Sequence, residues 1–458
     1  MKFNRGIAAI ALLSCTLAIH QGCASAESTV AKPATGSPNA QVAANSPLAG
    51  LPSSAGAHIE KIKALGDNQW LHLGLPAPDP KWGQPYGRDW GPHMPYAAEF
   101  GAAFFPPTSG SHGFVAPNGH FGDDFWAYDI HAHRWICIYP GSDTKSISLK
   151  MDANGFETDQ DGQPIPVAQL GHAFEMVTYD TDRKKFMFMP CATDQFKPSL
   201  GARRDTWGGG YPWPYQPTQC SPWMYNVPTG KFELRKTQGP VPGSSWGDVL
   251  VYAPSVKKLF FLRTNGSFKS VWLYDPQANT WTDLKPKGPP PPFGLDASAC
   301  LDLKRERIYF GGGYYPCVPQ GSNALWCYEI KTNTWLDLKP KGAPCGGCNR
   351  FGPDHAVMNY DSVNDSVVLF YHLLPQGETD GPAPTAGAAA LGIYVYDPTA
   401  NAWTEKPMPF AKELAQSKYP LCYNSFYSAE LNAHFMIAGS YTAADGTMWV
   451  YRYKQAKK

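Results

Sequence analysis

The sequence predicts an all-β chain folded as a six-bladed β-propeller, its last blade closed by an N-terminal strand. Three observations predict it. One hairpin pattern recurs five times at a constant internal spacing. The composition favours short strands and tight turns: Gly and Pro number 44 each, and 15 Trp, 24 Tyr and 23 Phe bring aromatics to 14%. A sixth copy ends one strand short, and a matching strand stands alone near the other end.

The elements follow in chain order. Met1-Lys-Phe-Asn-Arg5 is a basic n-region, Gly6 to Ile19 is a short apolar run, and Ala24-Ser25-Ala26 is a small-residue cleavage site. Residues 1–26 therefore read as a secretory signal cut before Glu27, which makes the expected location periplasmic or secreted. His20-Gln21 interrupts the run before the roughly 20 apolar residues that a membrane span needs. Lipoprotein processing at Cys15 or Cys23 is the alternative. Residues 27–56 are rich in Ala, Ser, Pro and Asn and poor in large apolar side chains, the composition of a disordered linker. Residues 57–458 remain for the propeller.

Each unit contributes two hairpins, which gives strands a, b, c and d from the inside outward. The outer hairpin reads aromatic-x-Tyr, an acid or amide, a polar turn, and an aromatic seven residues beyond the Tyr. The copies are Trp126-Ala-Tyr128 with Trp135, Trp223-Met-Tyr225 with Phe232, and Trp272-Leu-Tyr274 with Trp281. Trp326-Cys-Tyr328 with Trp335 and Tyr394-Val-Tyr396 with Trp403 continue the series. Asp275-Pro-Gln-Ala-Asn-Thr280 and Asp397-Pro-Thr-Ala-Asn-Ala402 supply turn chemistry. The inner hairpins align on Tyr179, Tyr252, Leu301 and Tyr360, and Tyr96 and Tyr427 open two more. The sixth unit has strands a to c, ends in Trp449-Val-Tyr451, and stops. Asn68-Gln-Trp70-Leu-His-Leu73 resembles Asn279-Thr-Trp281-Thr-Asp-Leu284 and supplies the missing strand d, which closes the ring and protects the sheet edges.

Charge sets limits on function. With 39 Lys and Arg against 38 Asp and Glu, and only 17% charged residues, binding to a nucleic-acid backbone by bulk electrostatics is excluded. No Gly-rich phosphate loop opens a helix, and no G-x-S-x-G elbow is present.

Arg307-Ile-Tyr-Phe-Gly311-Gly312-Gly313, followed by Tyr328 and Trp335, carries a resemblance to the kelch-repeat family that extends over residues 66 to 453. Asn265-Gly266 and Ala438-Gly439 match the family's double glycine in part, and Met189-Pro190 departs from it. The resemblance implies a propeller. It leaves function open, because kelch propellers include actin and peptide binders, a sialic-acid epimerase and copper-radical galactose oxidases. The copper oxidases need paired Tyr and His ligands and a Tyr–Cys crosslink, a set that does not map onto this sequence.

In such a propeller the b–c and d–a connections share one face, and the long segments fall there: 106–123, 191–220, 311–323 and 373–391, then 74–92, 140–168, 341–354 and 408–420. Arg203, Arg204 and Trp207 lie in a segment that continues through Tyr211, Trp213 and Tyr215. Its aromatic planes and guanidinium groups either stack on a sugar or peptide and hold a carboxylate, or fold the segment onto the rim. Arg88, Trp90 and His93 precede the first inner strand, and Arg350 and His355 the fifth; His172 begins the second, and His372 follows strand b of blade 5. By family resemblance, His172 and His355 pack within their blades. Glu99 and Asp248 fall on or near inner strands, where a carboxylate faces the channel.

Cys191 and Cys220 flank one long segment within bridging range, and one bridge is expected among Cys317, Cys345 and Cys348. Cys300 and Cys327 sit on strands a and c of one blade, two strand spacings apart, so they are expected to be buried thiols. His131-Ala-His133 marks an exposed c–d turn. Neither the lone C-x-x-C nor Gly122-Asp123-Asp124 makes a metal site, and no cofactor is expected. The functional expectation is an exported propeller that binds a carbohydrate or an extracellular protein through its long-loop face. The alternative is an epimerase or lyase acting on an acidic sugar at the axial mouth.

Overall fold

The structure, a computed structural model, describes residues 42–88, 93–106, 124–141, 150–154, 156–164, 175–189, 221–243, 248–263, 270–291, 297–312, 325–342, 357–373, 390–409, 421–440 and 443–456. The chain divides into units Met1–Asn39 and Ala40–Lys458, and all described residues belong to the second.

Six four-stranded antiparallel sheets form the blades of a propeller. Blade 1 comprises Tyr96–Ala97, Ala102–Phe105, Phe125–Asp129 and Arg134–Tyr139. Blade 2 comprises Val177–Asp180, Lys185–Phe188, Trp223–Asn226 and Lys231–Glu233. Blade 3 follows with Val249–Ala253, Lys258–Arg263, Ser270–Asp275 and Thr280–Asp283. Blade 4 has Ala297–Asp302, Arg307–Gly312, Leu325–Glu329 and Thr334–Asp337. Blade 5 has Val357–Asp361, Ser366–Leu373, Ala390–Asp397 and Ala402–Lys406. Blade 6 takes Leu421–Ser428, Ala433–Ser440 and Thr447–Arg452 from the C-terminal end, and Gln69–Gly74 completes it. The closing ladder pairs Trp70 with Tyr451 and His72 with Trp449, as the sequence predicts.

Both hairpins of a blade use one turn geometry. The residue five beyond the opening Tyr, or beyond Leu301 in blade 4, has positive φ: Gly101, Lys184, Lys257, Glu306, Asp365 and Asn432 in the a–b turns. In the c–d turns it is His133, Gly230, Asn279, Asn333 and Asn401. Gly and Asn tolerate this left-handed conformation best. The asparagines add a bond in each direction. Asn333 Oδ1 accepts from Tyr328 OH at 2.8 Å, and its Nδ2 donates to the Leu284 carbonyl of the preceding blade at 2.7 Å. Asn279 and Asn401 repeat this with Tyr274 and Tyr396.

The chain passes from blade to blade by a fixed device. Lys287, beyond blade 3, bridges Thr334 on the outer strand of blade 4, and Lys341 likewise bridges Ala402. Gly288 and Gly342 follow at φ +80 and +63, where a Cβ would meet the Trp335 and Trp403 carbonyl oxygens at 2.8 and 2.6 Å. Ala77, just past the closing strand, bridges Arg134 in the same way, so the passage from blade 6 to blade 1 repeats the others.

The core lies between neighbouring blades. Phe426 and Phe435 of blade 6, stacked at 4.7 Å, share a cluster with Phe105, Trp126 and Tyr128 of blade 1 and with Ile59 and Ile62 of the helix Ala57–Lys63. Burying each such side chain contributes about 1.5–3 kcal/mol.

Two expectations meet a different structure. Residues 42–56 belong to the stretch that composition marks as a linker, yet Leu48 is fully buried and Leu51 nearly so against blades 1 and 2. Two apolar anchors suffice there, because neighbouring blades supply the rest of the core. The His131–His133 turn is half-buried, not exposed. The start of the helix and the residue before it cover it: Gly56 N donates to the His131 carbonyl at 2.8 Å, and His58 Nε2 meets the Ile130 carbonyl at 2.8 Å. Cys300 and Cys327 are buried free thiols, as expected, and Cys137 is a third.

Candidate functional site

Antiparallel strand order fixes two ends to every blade. The a–b and c–d turns lie at one end. The opposite ends of the described strands flank the long segments 107–123, 190–220, 313–324, 374–389, 343–356 and 410–420. Trp90, His172, Arg203, Arg204, Trp207, Arg350 and His355 lie outside the described residues, as do Cys191, Cys220, Cys317, Cys345 and Cys348. His372 pairs with Leu391 in the blade 5 ladder, and its side chain also lies outside the description.

Arg88 is placed in the body of blade 1. Its Nη2 meets Asp124 Oδ2 at 2.9 Å with both side chains fully buried. Nε donates to the Pro106 carbonyl at 3.1 Å, and the guanidinium lies 4.8 Å over the Phe105 ring. Asp124 Oδ2 also accepts from Trp126 Nε1 at 2.6 Å. A buried charge needs such partners, so this arginine anchors the approach to the first inner strand.

His93 reaches a different place. Its backbone bridges Ser425 of blade 6, and its ring lines an axial cavity of about 320 Å³ framed by all six inner strands. Burial lowers its pKa to about 4, and Nδ1 has no partner. Glu175 and Asn359 share this end of the cavity. Glu175 is buried, and Ser298 Oγ donates to its Oε1 at a long 3.4 Å. Burial holds its carboxyl well above the usual carboxylate range. Val177, Leu250, Val251, Ala299, Cys300 and Leu301 form apolar walls.

Toward the a–b turns the cavity is ringed by the repeat tyrosines, each bonded to an acid or amide. Tyr179 OH donates to Glu99 of the preceding blade at 2.7 Å. Tyr252 bonds Asp182 of blade 2, and Tyr96 bonds Glu430 of blade 6. Tyr360 and Tyr427 reach Asp365 and Asn432 at 2.9 and 3.1 Å. Blade 4 has Leu301 at this place, and the facing turn position is Ser255, which bonds Glu306 instead. Burial, then Asp182, pushes the Tyr252 hydroxyl pKa upward. Burial opposes ionisation of Asp182, but the Tyr252 bond and the Lys257 ammonium hold it below its usual value. The mouth opens among Ala98, Thr181, Pro254, Leu303, Ser362 and Ala429, with Leu303 55% exposed.

Glu99 and Asp248 do not face the channel as free carboxylates. Glu99 sits in the turn Ala98–Phe100 and pairs with Lys184 at 2.6 Å; Asp248 is fully buried and pairs with Arg263 at 3.4 Å. Glu175 escaped sequence reasoning, though a signal existed: it stands four residues before Tyr179, as Asp248 stands four before Tyr252. Among the described residues no cluster of three or more His, Cys, Asp or Glu could hold a metal ion, and no helix is long and apolar enough to cross a membrane.

No family model matches the chain. Kelch-like protein 36 of Rattus norvegicus and of Mus musculus are each 26% identical over 141 residues, 31% of this chain and 20% of theirs. Kelch domain-containing protein 2 of Bos taurus is 28% identical over 127 residues, 26% of this chain and 30% of its own. The chain thus matches less than a third of the length of these relatives. A solved fungal alcohol oxidase of the AA5 family, in complex with copper, aligns at TM-score 0.44 and 11% identity over 84% of this chain and 76% of its own.

Proposed function

We propose that this chain, a divergent kelch-type propeller, is an exported binding protein that recognises an extracellular protein or a carbohydrate through its long-segment rim. One observation carries the reading: the long segments are all flanked by strand ends at one end of the blades, while the other end carries turns of four residues. Long connections concentrated on a rigid scaffold are the usual seat of recognition. Arg203, Arg204 and Trp207 fall in the sequence between the described strands Lys185–Phe188 and Trp223–Asn226, and that stretch carries guanidinium and aromatic groups. The apolar run and small-residue site at the N-terminus support export.

The test is binding of the purified mature chain to arrayed glycans and to a panel of purified extracellular proteins. Specific binding that falls at least tenfold in the Arg203→Ala, Arg204→Ala, Trp207→Ala variant is the expected result. Binding that survives all three substitutions overturns this site.

A second reading, proton transfer on an acidic sugar, draws on His93 and Glu175 facing one cavity. It also needs a cation for the sugar carboxylate, and the described lining residues include no Arg or Lys. Deuterium incorporation into a uronate or sialate incubated with the protein in heavy water supports it; its absence removes it.

A further inference from the structure

We propose that the axial cavity is a second binding site, entered from the a–b turn face, for an uncharged polyol of monosaccharide size whose hydroxyls are read by Glu175, His93 and Asn359. The inference is independent of the rim reading. Size comes first. A cavity of about 320 Å³ holds on the order of ten waters and therefore accommodates one hexose with a few of them.

Charge comes second. Below the mouth the described lining residues include no Arg or Lys to act as counter-ion for a charged guest. Burial raises the Glu175 pKa well above the usual carboxylate range and lowers that of His93 to about 4, so it favours the neutral form of both. The carboxylates around the mouth are already engaged: Glu99 with Tyr179 and Lys184, Asp182 with Tyr252 and Lys257, Glu430 with Tyr96. An ion entering this space loses its hydration without compensation.

Hydrogen-bonding capacity comes third. In the neutral form that burial favours, the Glu175 carboxyl both donates and accepts, and one of its oxygens has no hydrogen bond among the described residues. Asn359 commits Nδ2 to Ser425, which leaves its carbonyl oxygen to accept, and His93 lines the same cavity with its Nδ1 buried. Hydroxyl groups, each donor and acceptor, match this mixture. Buried polar atoms left in this state favour a guest that completes them. The apolar walls and tyrosine rings above them suit the C–H faces of a sugar ring.

The experiment is titration calorimetry of the mature chain with D-glucose, D-galactose, D-mannose and D-glucuronate. At least one hexose is expected to saturate with Kd near or below about 1 mM, and glucuronate to bind at least tenfold more weakly. Glu175→Gln should keep affinity within about threefold, whereas Glu175→Leu should lose about tenfold or more. Leu303→Trp narrows the mouth at an exposed position that no core packing depends on, and it too should abolish hexose binding. The Arg203→Ala, Arg204→Ala, Trp207→Ala variant should bind hexose unchanged, which separates this site from the rim. The proposal is overturned if no hexose saturates by about 100 mM, if glucuronate binds as well as the hexoses, or if Leu303→Trp leaves hexose binding intact.

Discussion

Trp70 faces Tyr451 across the closing ladder of blade 6, their ring centroids 4.6 Å apart, although 381 positions separate them in the chain. Contiguous hairpins elsewhere make the same pair: Tyr274 with Trp281 at 4.9 Å, Tyr328 with Trp335 at 5.1 Å, and Tyr396 with Trp403 at 5.2 Å. Tyr451 OH also donates to Asn68 Oδ1 at 3.0 Å, the bond that Tyr274 makes to Asn279. The N-terminal strand therefore makes the Tyr–Trp pairing and the Tyr–Asn bond of the other outer strands without their chain connection. Trp70→Ala should cost roughly 2–4 kcal/mol in urea unfolding, close to the effect of Trp281→Ala. A loss below about 0.5 kcal/mol would mean that the closing strand carries no stability.

Three tyrosines of the ring tie a blade to the one before it: Tyr96 to Glu430, Tyr179 to Glu99 and Tyr252 to Asp182. Tyr252→Phe and Asp182→Asn should each destabilise by about 1 kcal/mol, and a double-mutant cycle should show coupling of similar size. The folded state depresses the pKa of Asp182, so its contribution is complete above the unfolded carboxylate value near 4 and is lost as pH falls through the lower folded value. The coupling should therefore be flat from pH 5 to 7 and decline below about 4. Strictly additive singles would show that the bond joins the blades in geometry only.

His133 occupies the place that Asn takes in blades 3, 4 and 5, with φ +50 and its Nδ1 2.7 Å from Tyr128 OH. Burial, then the neighbouring His58, lowers its pKa to about 4. The unfolded chain takes up this proton near pH 6.5 and the folded chain does not, so stability falls as pH drops from about 6.5 toward 4. His133→Asn should remove that part of the acid sensitivity, with a Tm advantage that grows from pH 6.5 to pH 4.5. An identical slope in both proteins would contradict the assignment.

What the sequence shows and hides follows from range. The Tyr-to-Trp spacing, the left-handed turn residue and the split sixth blade are local or repeated, so hydrophobic period and turn chemistry display them. The acids that Tyr96, Tyr179 and Tyr252 bond sit on other blades, and only the paired departure of Leu301 and Ser255 hints at it. Arg88 looks like a rim ligand because nothing nearby in the chain announces Asp124, 36 residues on, as its partner. The His131–His133 turn looks exposed because its cover begins in a stretch with the composition of a linker.

Arg88 and Asp124 stand or fall together. Arg88→Met leaves a carboxylate buried and unpaired and should cost about 3–5 kcal/mol, while Arg88→Met with Asp124→Leu should recover most of that loss. If Arg88→Met unfolds like the native chain, the pair is not the anchor of the first inner strand.

The central claim is that the two ends of the ring share one blade, and a covalent link tests it most directly. His72 pairs with Trp449, their rings stacked at 4.0 Å, and antiparallel partners place Cα atoms about 4.5–5.5 Å apart, within disulfide range. In a His72→Cys, Trp449→Cys variant, peptide mapping under oxidising conditions should recover the 72–449 crosslink. The same variant should unfold with a midpoint raised by the equivalent of about 3–5 kcal/mol that reduction abolishes. If both thiols stay free and alkylate at the rate of exposed cysteines, the ring is not closed by this strand and the account fails.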